Sequence, residues 1–435
     1  MDIQKNLQLL EQNDKDIYNA IIGEEEREKE GIELIPSENY TYPEVFSANG
    51  SILTNKYAEG YPGRRYYGGQ KFTDIVENLA IERAKEVFRS DHANVQVLSG
   101  SPMNQAVYLA FCKPGDTILG MDLSHGGHLT HGASVSHMGQ IFNFVRYKTD
   151  PDNKGKIDFD ELLKIAKKTK PKIVLCGYTS YSRDYDYADF KRVADEVGAL
   201  TMADVAHIGG LIAGGVMRNP FDYGFDIVTT TTHKTLRGPR GGLILSKGKV
   251  SNPMKKPEMT KENIPTILDR SVFPGLQGGP HMNTIAAIAV TLKKAQTEEF
   301  KQYAQQTLKN SKVLSETFIE KGIKIINDGT DNHMMIIDTK KSFDINGKEA
   351  EQILDDIYIT VNKSLIPDDT LPPFKPSGIR LGTPAATTRG MKEEDMKKIG
   401  SWIIEALQNR NNKEIQKNIG QNVREFCSNF EVPGL

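Results

Sequence analysis

The chain has 435 residues, and its 55 Lys and Arg against 57 Asp and Glu leave a formal charge of −2, too near neutral for a dedicated nucleic-acid binder. At 38% hydrophobic and 26% charged residues it reads as globular; no apolar run of about 18 residues suggests a membrane span, and the polar start MDIQKNLQLLEQNDKD lacks the layout of a secretory signal. Cys112, Cys176 and Cys427 are scattered and odd in number, which argues against a disulfide framework and for a reducing, cytoplasmic setting.

Residues 1 to about 30 read as polar helix, and the charge run Glu24 to Glu30 as a solvated helix face or, alternatively, a partner-embracing arm. Tyr57 to Gly69 (YAEGYPGRRYYGG) is broken by Gly60, Pro62-Gly63 and Gly68-Gly69, so it predicts a loop, and loops of this size are usually functional. Asp74 to Arg89 carries Ile75, Leu79, Ala80, Val87 and Phe88 at helical spacing. Short β-branched runs follow at 94–98, 117–119, 173–176, 200–203, 227–232 and 243–245, with helical stretches such as 158–169 and 188–197 between them. Buried strands alternating with helices predict an α/β domain with a mostly parallel sheet.

Beyond Pro274 to Pro280 (PGLQGGP) a helical tract is expected from about 282 to 321. Strand-like pieces at 334–338, 358–361 and 379–381 then alternate with helices at 347–356 and 391–409, the pattern of a smaller α+β domain. The expected division is an N-terminal arm at 1–55, a large domain at 56–281 and a small domain at 282–435. Asp150, Asp152, Gly155 and Glu161 nearly follow the calcium-loop spacing, but Lys154 puts a cation where an oxygen ligand belongs. A polar turn is expected there, and no metal.

Four pieces carry chemistry. Thr229 to Thr235 (TTTTHKT) ends a strand-like run with Lys234, and a partly desolvated lysine has a lowered pKa and can form a Schiff base. Alone, it could equally snorkel to solvent. Asp204 closes another buried run, where it could face a pyridine nitrogen or simply cap a helix. Ser99-Gly100-Ser101-Pro102 reads as a helix N-terminus with Pro102 at the first helical position, suited to a phosphate or merely capped. His125, His128 and His131 recur at spacing three, yet Gly126-Gly127 and Gly132 oppose a helical metal cluster, and a ring stacked on an aromatic cofactor is the better reading. One cofactor, pyridoxal phosphate, explains all four.

The strings ELIPSENY at 33–40, LTNKYAEGYPG at 53–63, RYYGG at 65–69, HGGHLTHG at 125–132, TTTTHKT at 229–235, GPRGG at 238–242 and SGIRLGTPA at 377–385 resemble the serine hydroxymethyltransferase family. The resemblance implies an aspartate-aminotransferase-like fold (pyridoxal-phosphate fold type I) and a transferase of one-carbon metabolism and amino-acid biosynthesis, which interconverts serine and glycine with tetrahydrofolate as co-substrate. It implies Lys234 as the Schiff-base lysine, Asp204 opposite the ring nitrogen, His128 on the ring, and Ser99, Gly100 and Ser101 at the phosphate. Tyr57, Gly278 and Gly279 would reach the phosphate from a partner subunit, in a homodimer or tetramer. Arg380, helped by Ser37, would clamp the amino-acid carboxylate. Glu59 of the partner would be the acid–base group at the folate. Thr230, His207, His233, Arg240 and Tyr67 would line the site, with Thr179 near the phenolic oxygen. Leu123, Gly127 and Leu129, with Ser364 and the Pro372-Pro373-Phe374 loop, would form the folate pocket.

Met103, Thr179, Ser364 and Pro372 depart from the family's usual residues, and Ser364, in place of an Asn, bears on folate affinity. The rival activity is a folate-independent aldolase acting on 3-hydroxy amino acids such as threonine. An idle cofactor-binding scaffold is the reading from another class, and the intact Lys234, Asp204 and Arg380 oppose it.

Overall fold

The computed structural model describes residues 3–435, so the first two positions of the expected N-terminal helix lie outside it. The rest of that segment forms two helices, Ile3–Asn13 and Lys15–Glu30, because Asp14 interrupts the first and caps the second by accepting from the Ile17 amide. No residue of Lys15–Glu30 is buried, so its charge run faces solvent.

A seven-stranded sheet organises the larger part of the chain. Its strands are β1 (His92–Asn94), β2 (Thr117–Met121), β3 (Asn143–Tyr147), β4 (Ile173–Gly177), β5 (Leu200–Asp204), β6 (Ile227–Thr231) and β7 (Gly242–Ser246). The spatial order is β1-β7-β6-β5-β4-β2-β3, and only β7 runs against its neighbours. β4, β6 and β7 are buried at every position, as continuous apolar or β-branched runs require when helices cover both sheet faces. β1 stops at Asn94, short of the expected Leu98. There Gln96 N–H bonds the Asn94 side chain and Leu98 N–H bonds Gln277 Oε1, so side chains take over from strand neighbours.

The expected long helical tract is two helices, Met282–Lys294 and Glu298–Glu320, separated where Thr297 caps the second. Ile285, Ile288, Leu292, Phe300 and Ala304 pack into the core of the large sheet. Leu314 and Phe318 join a second core with Ile32, Leu34, Trp402 and Ile403. The packing changes hands inside Glu298–Glu320, and the chain's early strand Ile32–Glu33 joins the second core by pairing in parallel with Ile359–Thr360. That core covers an antiparallel sheet of β8 (Met334–Asp338), β9 (Asn362–Ser364) and β10 (Gly378–Gly382), with β10 central. Among the described residues no helix is long and apolar enough to cross a membrane. The near-calcium loop is a capped turn in which Asp150 Oδ1 accepts from the Asp152 and Asn153 amides.

Candidate active site

Several segments bearing candidate residues, those of Leu123 to Leu129, Asp204 and Lys234 among them, follow the carboxyl ends of parallel strands, where ligands sit in open α/β sheets. Asp204 is the last residue of β5. Its Oδ2 accepts from Asn104 Nδ2 at 2.8 Å and lies 3.0 Å from His131 Nε2, while Oδ1 accepts from the Ala206 amide at 3.1 Å. Burial pushes this carboxyl up, but the His131 and Asn104 contacts outweigh it and hold Asp204 well below the usual carboxylate range. It stays ionised while buried.

Lys234 stands just past β6 in a tight turn. A methyl on Gly210 would come within 2.3 Å of the Thr235 carbonyl carbon, so only glycine lets these segments meet. The Lys234 carbonyl accepts from the Arg237 amide at 3.0 Å and Asn39 Nδ2 at 3.2 Å. Arg237, at φ +59°, holds the left-handed turn by stacking on Tyr42, 4.1 Å from the ring centre. Among the described residues no side chain pairs with the Lys234 ammonium. Burial, with Arg380 and Arg240 nearby, lowers its pKa to about 8 against the opposing pull of Asp204.

Ser99 is the N-cap of helix Gly100–Phe111, yet its hydroxyl makes no capping bond. Pro102 therefore lies at the third helical position, a turn position where its missing N–H costs nothing. The free amides of the first turn are a setting suited to an anion, and a methyl on Gly100 would press on Thr231 Cγ2 at 3.0 Å. His128 is anchored by Thr130 Oγ1 2.7 Å from its Nδ1 and meets His131 edge-on; burial first, then His131, lowers its pKa to about 4, so it is a neutral flat ring.

Arg380, on β10, is 5% exposed. Its Nε donates to Asn362 Oδ1 at 3.2 Å and its Nη1 to the Thr179 carbonyl; no acidic side chain pairs with it among the described residues, and burial lowers its pKa to about 10. A buried guanidinium left without a carboxylate is a costly arrangement that a bound anion relieves. The Thr179 hydroxyl and His233 Nδ1 are likewise buried without partners. His233, Ser37 and Arg240 line one cavity of about 550 Å³. His207 stacks on His333, with Nδ1 and Nε2 3.4 Å apart, and burial keeps both neutral.

The remaining candidates fall into separate groups. Thr230 alternates to the face of β6 opposite Thr229, with Oγ1 bonded to the Thr231 carbonyl at 3.2 Å, so its hydroxyl is not brought to Asp204. Tyr57, Glu59 and Tyr67 gather beside Gly278 and Gly279: Tyr57 donates to Glu59 Oε1 at 3.2 Å and meets the Tyr67 ring at 5.1 Å. This group makes no hydrogen bond to Lys234 or Asp204 within the chain. Leu123, Gly127 and exposed Leu129 lie on the loop after β2. That loop meets the segment of Phe374, which is 66% exposed, where His125 Nε2 stands 3.3 Å from Asp368 and Lys148 pairs with the same carboxylate. Ser364 turns its hydroxyl onto the Leu365 carbonyl at 3.1 Å.

Sequence reasoning missed Asn104, Asn362 and Arg237, and gave His131 no role of its own. His131 stood in a string already singled out, but the rest become visible only through partners far along the chain.

The ionised Asp204, Lys234 with its lowered pKa, the uncapped helix and the unpartnered Thr179 and His233 atoms together suit pyridoxal phosphate. A mostly parallel sheet with these groups at its strand ends defines a pyridoxal-phosphate protein of fold type I. The serine hydroxymethyltransferase family matches residues 10–403. Serine hydroxymethyltransferase of Marinobacter nauticus is 48% identical over 421 residues, 97% of each chain. Serine hydroxymethyltransferase 2 of Pseudomonas fluorescens is 48% identical, and serine hydroxymethyltransferase 1 of Pseudomonas syringae 49%, over the same coverage. The chain belongs to the serine hydroxymethyltransferase family.

Proposed function

We propose that this protein transfers the hydroxymethyl carbon of serine reversibly to tetrahydrofolate, giving glycine and 5,10-methylenetetrahydrofolate. The carrying observation is Arg380, a buried guanidinium with no acidic partner among the described residues, in a site that also holds a lysine of lowered pKa and an ionised aspartate. Pyridoxal phosphate, when bound, supplies an electron-poor ring that takes up the electron pair released as the Cα–Cβ bond breaks. Lys234 offers the amine that holds it, Asp204 faces its ring nitrogen as a fixed anion, and His128 covers the ring. Ser99, Gly100 and Ser101 receive the phosphate. Arg380, with Ser37, orients serine by its carboxylate. Glu59 moves a proton at the folate nitrogens.

Glu59 and Tyr57 act in the partner's site, in a homodimer. Supporting this, Ile52, Tyr57, Tyr66, Phe72, Ile75 and Leu79 are all exposed, between 43% and 74%, within one short stretch of chain. Large exposed apolar patches of this kind mark interfaces. The working location is the cytoplasm, and the two cores correspond to a large cofactor domain and a smaller C-terminal one. The test is serine cleavage by the cofactor-loaded protein with and without tetrahydrofolate. A strong dependence on folate is expected; equal rates would establish the aldolase instead.

A further inference from the structure

We propose that Arg65 is a positioning residue whose buried guanidinium grips the carbonyl groups on either side of Glu59 and so fixes the direction of that carboxylate. The inference rests on the reading of Glu59 as the acid–base group. Glu59 precedes a ribbon of only Gly60–Tyr61 paired with Arg64–Arg65, and a hairpin that short is marginal on its own. Its rigidity comes from elsewhere.

Arg65 Nη1 donates to the Ala58 carbonyl at 2.8 Å and the Gly60 carbonyl at 2.9 Å. The carbonyl between them, that of Glu59, accepts from the Tyr66 amide at 3.0 Å. Three consecutive carbonyls are thus taken, and the Glu59 side chain is left reaching Tyr57 and the Gly278 turn. On its other edges Arg65 donates from Nε to Asp74 at 2.9 Å and from Nη2 to Glu77 at 2.6 Å. The Arg65 and Glu77 side chains are 3% and 1% exposed. Gln96 Nε2 closes the circuit, donating to Glu77 at 2.7 Å and to the Gly60 carbonyl at 2.9 Å. The Gln96 carbonyl accepts from Gln277, next to Gly278, so the same network holds both elements directed at the partner's site.

A buried ion pair is weak evidence for stability, because desolvation offsets most of its attraction. A staple serving only helix Lys71–Phe88 would have no need of the carbonyls at 58 and 60. The planar guanidinium is the one side chain able to serve all these acceptors at once, which a lysine cannot do.

The experiment is a double-mutant cycle in the cofactor-loaded enzyme with Arg65→Lys and Glu59→Gln. Arg65→Lys is expected to lower kcat for folate-dependent serine cleavage by roughly 10–100-fold, with the serine KM within about twofold. In the Glu59→Gln background the same change should lower kcat by less than about twofold, since the direct contacts of Arg65 are to the carbonyls flanking Glu59 while Gln277 is held through Gln96. Hydrogen exchange at the Tyr66 amide of the cofactor-free protein should quicken in Arg65→Lys. Equal fold-losses in both backgrounds, or unchanged exchange, overturn the proposal. A Glu59→Gln enzyme with wild-type kcat would instead overturn the acid–base reading, and Arg65 with it. If Arg65→Lys takes up no cofactor, Glu77→Gln, which leaves the arginine in place but removes its main anchor, serves in the same cycle with the same outcomes.

Discussion

The Nε2 atom of His131 stands 3.0 Å from Oδ2 of Asp204, and both side chains are buried. The buried Asp204 carboxylate is therefore held ionised by a histidine of the loop after β2, three residues beyond His128. His131→Phe removes this contact and leaves Asn104 as the only side-chain donor to Oδ2 among the described residues. Loss of one bond to a buried charged acceptor costs about 1–3 kcal/mol. Pyridoxal phosphate titrated into the cofactor-free variant should bind roughly tenfold more weakly or worse.

The same contact sets a pH dependence. Asp204 has a depressed folded pKa, so its stabilising contribution is present above the carboxylate's unfolded pKa of 3.8 and is lost as pH falls toward the folded value. In His131→Phe the folded pKa rises toward the unfolded one. The acid-unfolding midpoint should move to higher pH, measured by circular dichroism on the cofactor-free protein.

Lys234, lowered to about 8, moves in the same sense at higher pH. Its neutral form is the one that attacks an aldehyde, so below about 8 the rate of pyridoxal phosphate capture should climb about tenfold per pH unit, then level off. Borohydride treatment of the loaded protein should add the cofactor's mass, less the one water lost on joining the amine and plus the two hydrogens of reduction, to the wild-type chain and none to Lys234→Ala.

Much of this was legible along the chain because buried parallel strands need apolar or β-branched runs, and Leu200–Asp204 and Ile227–Thr231 announce themselves that way. Lys234 and Asp204 stood out as charges at the ends of such runs. Asn104 did not: its role depends on Asp204, a hundred residues away, and an asparagine in a helix's second turn carries no local signal. The clamp of Arg65 on Glu77 was hidden likewise, inside a glycine-rich loop that reads as irregular. The change of core inside Glu298–Glu320 was illegible because both halves of that helix are amphipathic and differ only in what they meet.

Arg380 offers a clean separation of binding from cofactor loading. Arg380→Lys keeps a charge but loses the two-pronged geometry that suits a carboxylate. The serine KM should rise by about 100-fold, near 3 kcal/mol, while pyridoxal phosphate affinity changes little. Steady-state kinetics alongside a cofactor titration reads both.

If each site needs both subunits, inactive chains should rescue one another. Lys234→Ala lacks the amine but carries an intact Tyr57–Glu59 group; Glu59→Gln has the reverse defect. Mixed after mild dissociation, they form hybrids in which one of the two sites has both wild-type residues. Activity should therefore return to at most about half per hybrid dimer, a ceiling set by the symmetry of a two-fold assembly. A mixture that stays as inactive as its components would place Glu59 and Lys234 in the same subunit's site.

The proposed folate contact at position 364 can be tested by substitution. Ser364 lies on edge strand β9, beside the segment that presents Phe374, and its hydroxyl is spent on the Leu365 carbonyl. An asparagine there reaches further and carries two N–H donors and an acceptor, enough to bond a pterin ring edge while the serine cannot. One added hydrogen bond contributes about 1 kcal/mol net, so Ser364→Asn should lower the tetrahydrofolate KM by roughly fivefold. The serine KM should stay put, because Arg380 sits on β10 and bonds Asn362 and Thr179, not Ser364. A parallel change in both constants would mean that position 364 acts by shifting β9 against β10, and the folate contact would then have to be sought in Leu123, Leu129 or Phe374.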